Sequence, residues 1–71
     1  MENTESILLK RVIEAVNKRM SAEEAGLVDD EALVMYHWYW MKAEETWAVG
    51  GYWPQFAVEG TQVKRVGGYR L

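Results

Sequence analysis

Apolar residues at Leu8, Leu9, Val12, Ile13, Val16 and Met20 recur at intervals of three and four, the spacing of one helical face, and predict an α-helix from Thr4 to Met20. Asn3 or Thr4 supplies an N-cap, Glu5 suits the first turn, and Lys18 and Arg19 stand where a helix C-terminus prefers positive charge. Lys10, Arg11, Glu14 and Lys18 form the opposite, solvated face, with Glu14 and Lys18 at i, i+4 spacing.

Ser21-Ala22-Glu23-Glu24 fits a capping box, and Gly26 stops the turn that it opens. A second N-cap signal stands at Asp29 and Asp30, ahead of one or two turns of helix-forming Glu31-Ala32-Leu33-Val34-Met35. The ring-dense Tyr36-His37-Trp38-Tyr39-Trp40 suits a strand, but Leu33, Tyr36 or His37, and Trp40 keep helical spacing, so the helix is read as running into this stretch. From Lys42 the character changes. Gly50-Gly51 and Pro54 punctuate the chain, and Phe56-Ala57-Val58 and Thr61-Gln62-Val63 flank Glu59-Gly60 as hairpin strands around a two-residue break. Phe56 and Val58 share one face; Gly67-Gly68 ends the second strand after Val66, leaving Tyr69-Arg70-Leu71 as a tail able to pair again. The expected fold class is α+β, a single small domain over 1–71 with an amphipathic N-terminal helix, a short second helix and a C-terminal β-hairpin or small antiparallel sheet.

Composition narrows the function. At 71 residues the chain is near the lower limit for a core without disulfides or metals, and with no cysteine it has neither a disulfide framework nor a thiolate metal site, which fits a reducing cytoplasm. The start, Met1-Glu2-Asn3-Thr4-Glu5, has no positive n-region, and no apolar run approaches the roughly 18 residues of a membrane span. A net charge of −3 gives no global basic field for nucleic acid or anionic lipid. The four Trp, four Tyr and one Phe are too many large rings for so small a core, so some are expected to be exposed or covered by a partner.

No catalytic, metal or cofactor site is expected. His37 is a lone histidine, read as a partly buried imidazole packed among rings; Glu23-Glu24, Asp29-Asp30 and Glu44-Glu45 are adjacent acids, not carboxylates held across a cleft. Gly50-Gly51 and Gly67-Gly68 lack the setting of a phosphate loop. What remains is aromatic surface, suited to a protein partner or a glycan. Base stacking is the weakest option, because Lys42 is the one basic residue between Tyr36 and Phe56. The competing assignment puts Trp38, Trp40, Trp47 and Trp53 in the core between helix and hairpin. Tyr36 to Trp40 is assigned to a helix end contributing to the core. Trp47, Tyr52 and Trp53, in turn-like chain, are the better candidates for an exposed face, with Trp40 and Tyr69 as further contact residues.

In order along the chain, Asp30-Glu31-Ala32-Leu33, Trp40, Trp47-Ala48-Val49-Gly50 and Gly67-Gly68-Tyr69-Arg70 resemble elements of small proteins and amino-terminal segments encoded among tailed-phage tail genes and described as carbohydrate-binding tail proteins. The resemblance spans roughly residues 5 to 71 and implies a virion- or tail-associated module with a sugar-binding role, in the host cytoplasm or the virion. Two other classes stand beside it. One is a small acidic inhibitor of a host protein acting through Glu23, Glu24, Asp29, Asp30, Glu44 and Glu45; the other is a homo-oligomeric subunit whose surplus rings form the interface.

Overall fold

The computed structural model describes residues 4–71. The expected amphipathic helix forms as α1 (Thr4–Asn17) and buries Leu9, Val12, Ile13, Ala15 and Val16. Thr4 is its first helical residue, and the alternative cap Asn3 lies outside the described residues. It ends three residues before the predicted Met20. Arg19 turns left-handed (φ 55°), and the amides of Arg19 and Met20 donate to Val16 O (3.1 Å) and Ala15 O (2.9 Å), a Schellman closure that halts the helix. Lys18 and Arg19 therefore belong to the turn, although Lys18 still pairs with Glu14 at 3.0 Å.

The capping box forms as read: Glu24 N–H donates to Ser21 Oγ (3.1 Å), and Ser21 N–H donates to a Glu24 carboxylate oxygen (3.3 Å). The turn that it opens closes like α1, with Gly26 left-handed (φ 72°) and Leu27 N–H reaching back to Ala22 O at 2.9 Å. Leu27 is thereby delivered into the core beside Val12, Ala15 and Ala32.

The second helix is far longer than predicted. α2 (Asp30–Gly50) runs for 21 residues, taking in Lys42–Val49, which the pattern assigned to β structure or turn. Nothing in that stretch breaks a helix before Gly50; Thr46 returns its hydroxyl to Lys42 O at 3.0 Å, and the small Ala43 lets α2 approach its neighbours. Asp29 is extended at the N-cap, with no side-chain capping bond. Gly51 closes the other end at φ 76°, donating to Trp47 O at 2.7 Å.

The carboxyl third is the hairpin of β1 (Tyr52–Glu59) and β2 (Gln62–Arg70), an antiparallel pair. Pro54 stands inside β1, and β2 continues through Gly67-Gly68, so neither punctuates as predicted. Gly68 tolerates that course because a Cβ there would approach Trp53 O at 3.1 Å. Glu59 pairs with Gln62, which moves the two-residue turn to Gly60-Thr61; Gly60 takes φ 65° at the first central position, where a type II′ turn wants glycine. Val66 is the extra residue of a bulge opposite Gln55 and Phe56.

The fold is α+β, two helices followed by a two-stranded antiparallel sheet. β1 packs on both helices, and the second part of the core joins Val16, Ala43 and Trp53, with Tyr36, Tyr39, Trp40 and Phe56 around them. The carbonyls at the end of α1 and in the turn after it take donors from the hairpin and α2, Val16 O in addition to the Arg19 amide. Trp53 Nε1 donates to Val16 O (2.7 Å), Gln55 Nε2 and the Tyr69 hydroxyl donate to Asn17 O (3.0 and 2.9 Å), and the Tyr36 hydroxyl donates to Met20 O (2.6 Å). The Asn17 carboxamide completes the clamp, accepting from Phe56 N–H and donating to Phe56 O, both at 2.9 Å, as a neighbouring strand would.

Candidate functional site

At about 100° per residue, Ala32, Tyr36, Tyr39 and Ala43 share the side of α2 that meets the core. Val34, Trp38, Met41 and Ala48 lie on the opposite side, at four-three spacing interrupted by Glu45. The exposures agree: Ala43 is fully buried, whereas Val34 is 70%, Trp38 56% and Met41 52% exposed. A helix apolar on both sides is normally buried on both. In this chain one side is open.

The open face has defined local geometry. The Trp38 ring meets Tyr39 edge-on at 4.8 Å, and Lys42 Nζ stands 4.9 Å from its centroid, a cation–π contact that holds the ammonium on this face. A shallow groove continues toward the helix C-terminus between Trp38, Met41, Glu44, Glu45, Trp47 and Ala48. Trp47 is 42% exposed on the final turns.

The residues expected to form the contact surface are dispersed. Trp53 is corrected: it is 2% exposed, at the centre of the core, packed against Val16 and Ala43, with its indole N–H donating to Val16 O alongside the Arg19 amide. Trp40 is half-buried, stacked on Tyr36 at 5.5 Å and edge-on to Trp53 at 5.0 Å. Tyr69 commits its hydroxyl to Asn17 O. Tyr52 is exposed beside Arg70, whose guanidinium carbon is 5.3 Å from its ring centroid. Trp47 is surface, but on a helix. The assignment of Tyr36 to Trp40 to the core holds for Tyr36, Tyr39 and Trp40 and fails for Trp38. The Trp38 face, with Val34, Met41 and Ala48, is what sequence reasoning missed. Its signal was a second four-three stripe, visible only once the helix is carried through to Gly50.

His37 is exposed on α2, not buried among rings. The Tyr36 phenol is held above its ordinary pKa of 10.0, first by burial and then by the Glu24 carboxylate. Among the described residues no three His, Cys, Asp or Glu side chains cluster as metal ligands, and no helix is long and apolar enough to cross a membrane. No family model, curated protein or solved structure matches this chain.

Proposed function

We propose that the chain is a non-enzymatic interaction module that docks a protein partner on the outer face of α2. The observation that carries this reading is the second apolar stripe on a helix whose first stripe already serves the core. Val34, Trp38, Met41 and Ala48 offer apolar area and a flat ring, but no nucleophile, acid or base, so the chemistry of the face is that of binding. The chain's total accessible surface of 4946 Å² also exceeds the roughly 4,500 Å² expected of a folded monomer of this mass.

Sugar stacking on Trp38 has less support, because the Lys42 ammonium already occupies a face of that ring. An acidic inhibitor needs one acidic patch, and Asp30 and Glu45 stand about 22 Å apart along α2 at 1.5 Å per residue. A virion or phage-tail setting in an infected host cell rests on the tail-protein resemblance alone. A photo-reactive residue placed at Trp38 in the native source tests the reading: adducts are expected from that position and not from Lys10 on α1. Equal labelling at both positions would end the proposal.

A further inference from the structure

The outer strand of the hairpin carries a second surface, independent of the outer face of α2. β1 packs on both helices, whereas β2 packs on β1 alone, so the sheet ends at β2. We infer that the edge of β2 from Gly67 to Arg70 binds a short acidic peptide segment in extended form, added to the sheet as a third strand.

The direction of the main-chain groups follows from Asn17. Its carboxamide takes both the N–H and the C=O of Phe56, which therefore point away from β2. Main-chain groups alternate in direction along an antiparallel ladder. Tyr52, Pro54, Phe56 and Val58 thus face away from β2, and their partners Arg70, Gly68, Arg65 and Val63 face away from β1. On the β1 side that outward row meets Asn17 and is interrupted by Pro54. On the β2 side, among the described residues, no other element packs against it. Beyond the Val66 bulge, Gly68 and Arg70 present their N–H and C=O groups to solvent, and Gly68 has no side chain to hold a partner strand off. Strand addition works on these terms: main-chain bonds give affinity and side chains give selectivity.

The side chains select for acid. Arg65 and Arg70 lie on the face of the sheet that carries Tyr52. Arg65 Nη2 stands 3.3 Å from where a Cβ on Gly68 would be, and the Arg70 guanidinium carbon is 5.3 Å from the Tyr52 ring centroid, with Nη2 3.5 Å from the Tyr52 hydroxyl. Neither guanidinium is ion-paired among the described residues, whereas Lys64 is held by Glu59 at 3.4 Å. Charge is segregated as well. From Gly51 to Leu71 the chain has Lys64, Arg65 and Arg70 against Glu59, so the net −3 arises in the residues before them. Carboxylates on one face of an added strand would meet the two guanidiniums with charge-assisted, fork-shaped bonds. Basic residues and a bulge also guard an edge against its own copies, because a second β2 would bring its Arg65 and Arg70 to the same edge. They leave that edge open to a strand of opposite charge. A nucleic acid would use the guanidiniums but leave the main-chain row unpaired, and the acidic helices would repel it.

Amide hydrogen exchange of the full chain, followed by NMR, tests the inference with a capped peptide of about six residues alternating valine and glutamate. At up to about 1 mM peptide, the Gly68 and Arg70 amides are expected to slow about tenfold. The Tyr69 amide, already turned toward Trp53 of β1, should not change. A valine–lysine peptide should leave all three unchanged. Two N-methylated forms of the glutamate peptide, each with methyls on one alternate set of amides, separate strand addition from charge attraction: one should bind and the other should not, because the added strand uses a single edge. The doubly substituted R65E/R70E chain, altered only at exposed side chains, should keep its circular dichroism, lose the glutamate peptide and take the lysine one. No slowing with the glutamate peptide overturns the inference. So does equal binding of the lysine peptide by the wild type, or equal binding of both N-methylated forms. Tighter binding of a single-stranded DNA of about ten nucleotides than of the glutamate peptide would also overturn it, making the partner a nucleic acid.

Discussion

Single side chains near the end of α1 decide whether helix and hairpin form one body. Asn17 uses its backbone carbonyl for Gln55 and Tyr69 and its carboxamide for both main-chain groups of Phe56, so one residue bridges α1, β1 and β2. Tyr36 makes the corresponding link from α2, donating to Met20 O. Its titration gives a pH dependence with a definite sign. The folded-state pKa lies above the ordinary value, chiefly through burial and secondarily through Glu24. The unfolded chain therefore loses this proton at lower pH than the folded one. The stabilisation is complete below pH 10 and declines as pH rises through the raised folded value. Urea midpoints measured from pH 8 to 12 should fall on the alkaline side, and Tyr36→Phe should flatten that limb while costing about 1 kcal/mol at neutral pH for the lost hydrogen bond. An unchanged alkaline limb in the variant would assign the effect to other groups.

At the scale of elements, three of the positive-φ residues mark where helical turns stop. Arg19 and Gly26 end the first helix and the capping-box turn, and Gly51 ends α2 at φ 76°. Gly51 has open space around a Cβ, so the cost of a side chain there is conformational and not steric. Gly51→Ala should lower stability by about 1 kcal/mol, measured by urea unfolding, with little change in helical signal. If it proves neutral, the left-handed closure is not what sets the length of α2.

Which elements could be read from the sequence follows from which signals are local. α1 was legible because its three-four spacing meets one core, and the capping box because both partners lie within four residues. The hairpin was legible to within one residue at the turn, since Glu59-Gly60 and Gly60-Thr61 differ only in which residue takes the left-handed position. α2 was misread for the reason that makes it interesting: a helix apolar on two sides has weak amphipathicity, and Glu44-Glu45 beside Gly50-Gly51 imitates a polar turn. Shortening the helix put Trp47 in a turn and hid the Val34–Trp38–Met41–Ala48 stripe. Burial of Trp53 was not legible locally either, since it depends on a carbonyl 37 residues away.

For the whole molecule, the question is whether 71 residues unfold as one unit when the core is small and one helix face stays open. A domain of this size commands only about 3–5 kcal/mol, so any contact worth half of that is decisive. Trp53 is such a contact: it fills the space between α1, α2 and β1, and its indole N–H donates to Val16 O at 2.7 Å within a buried setting. Trp53→Phe keeps an aromatic ring but removes one of the two donors to Val16 O, leaving the Arg19 amide, and part of the volume, which should cost about 2–3 kcal/mol from the lost hydrogen bond and the residual void. The wild type should unfold in urea with coincident tryptophan fluorescence and circular dichroism transitions, because the hairpin cannot leave while the α1 carbonyls depend on its donors. The variant should shift both midpoints together to lower urea. If fluorescence moved ahead of the helical signal in either protein, the hairpin would be separating from intact helices, and the hydrogen bonds at the end of α1 could not be what makes the fold cooperative.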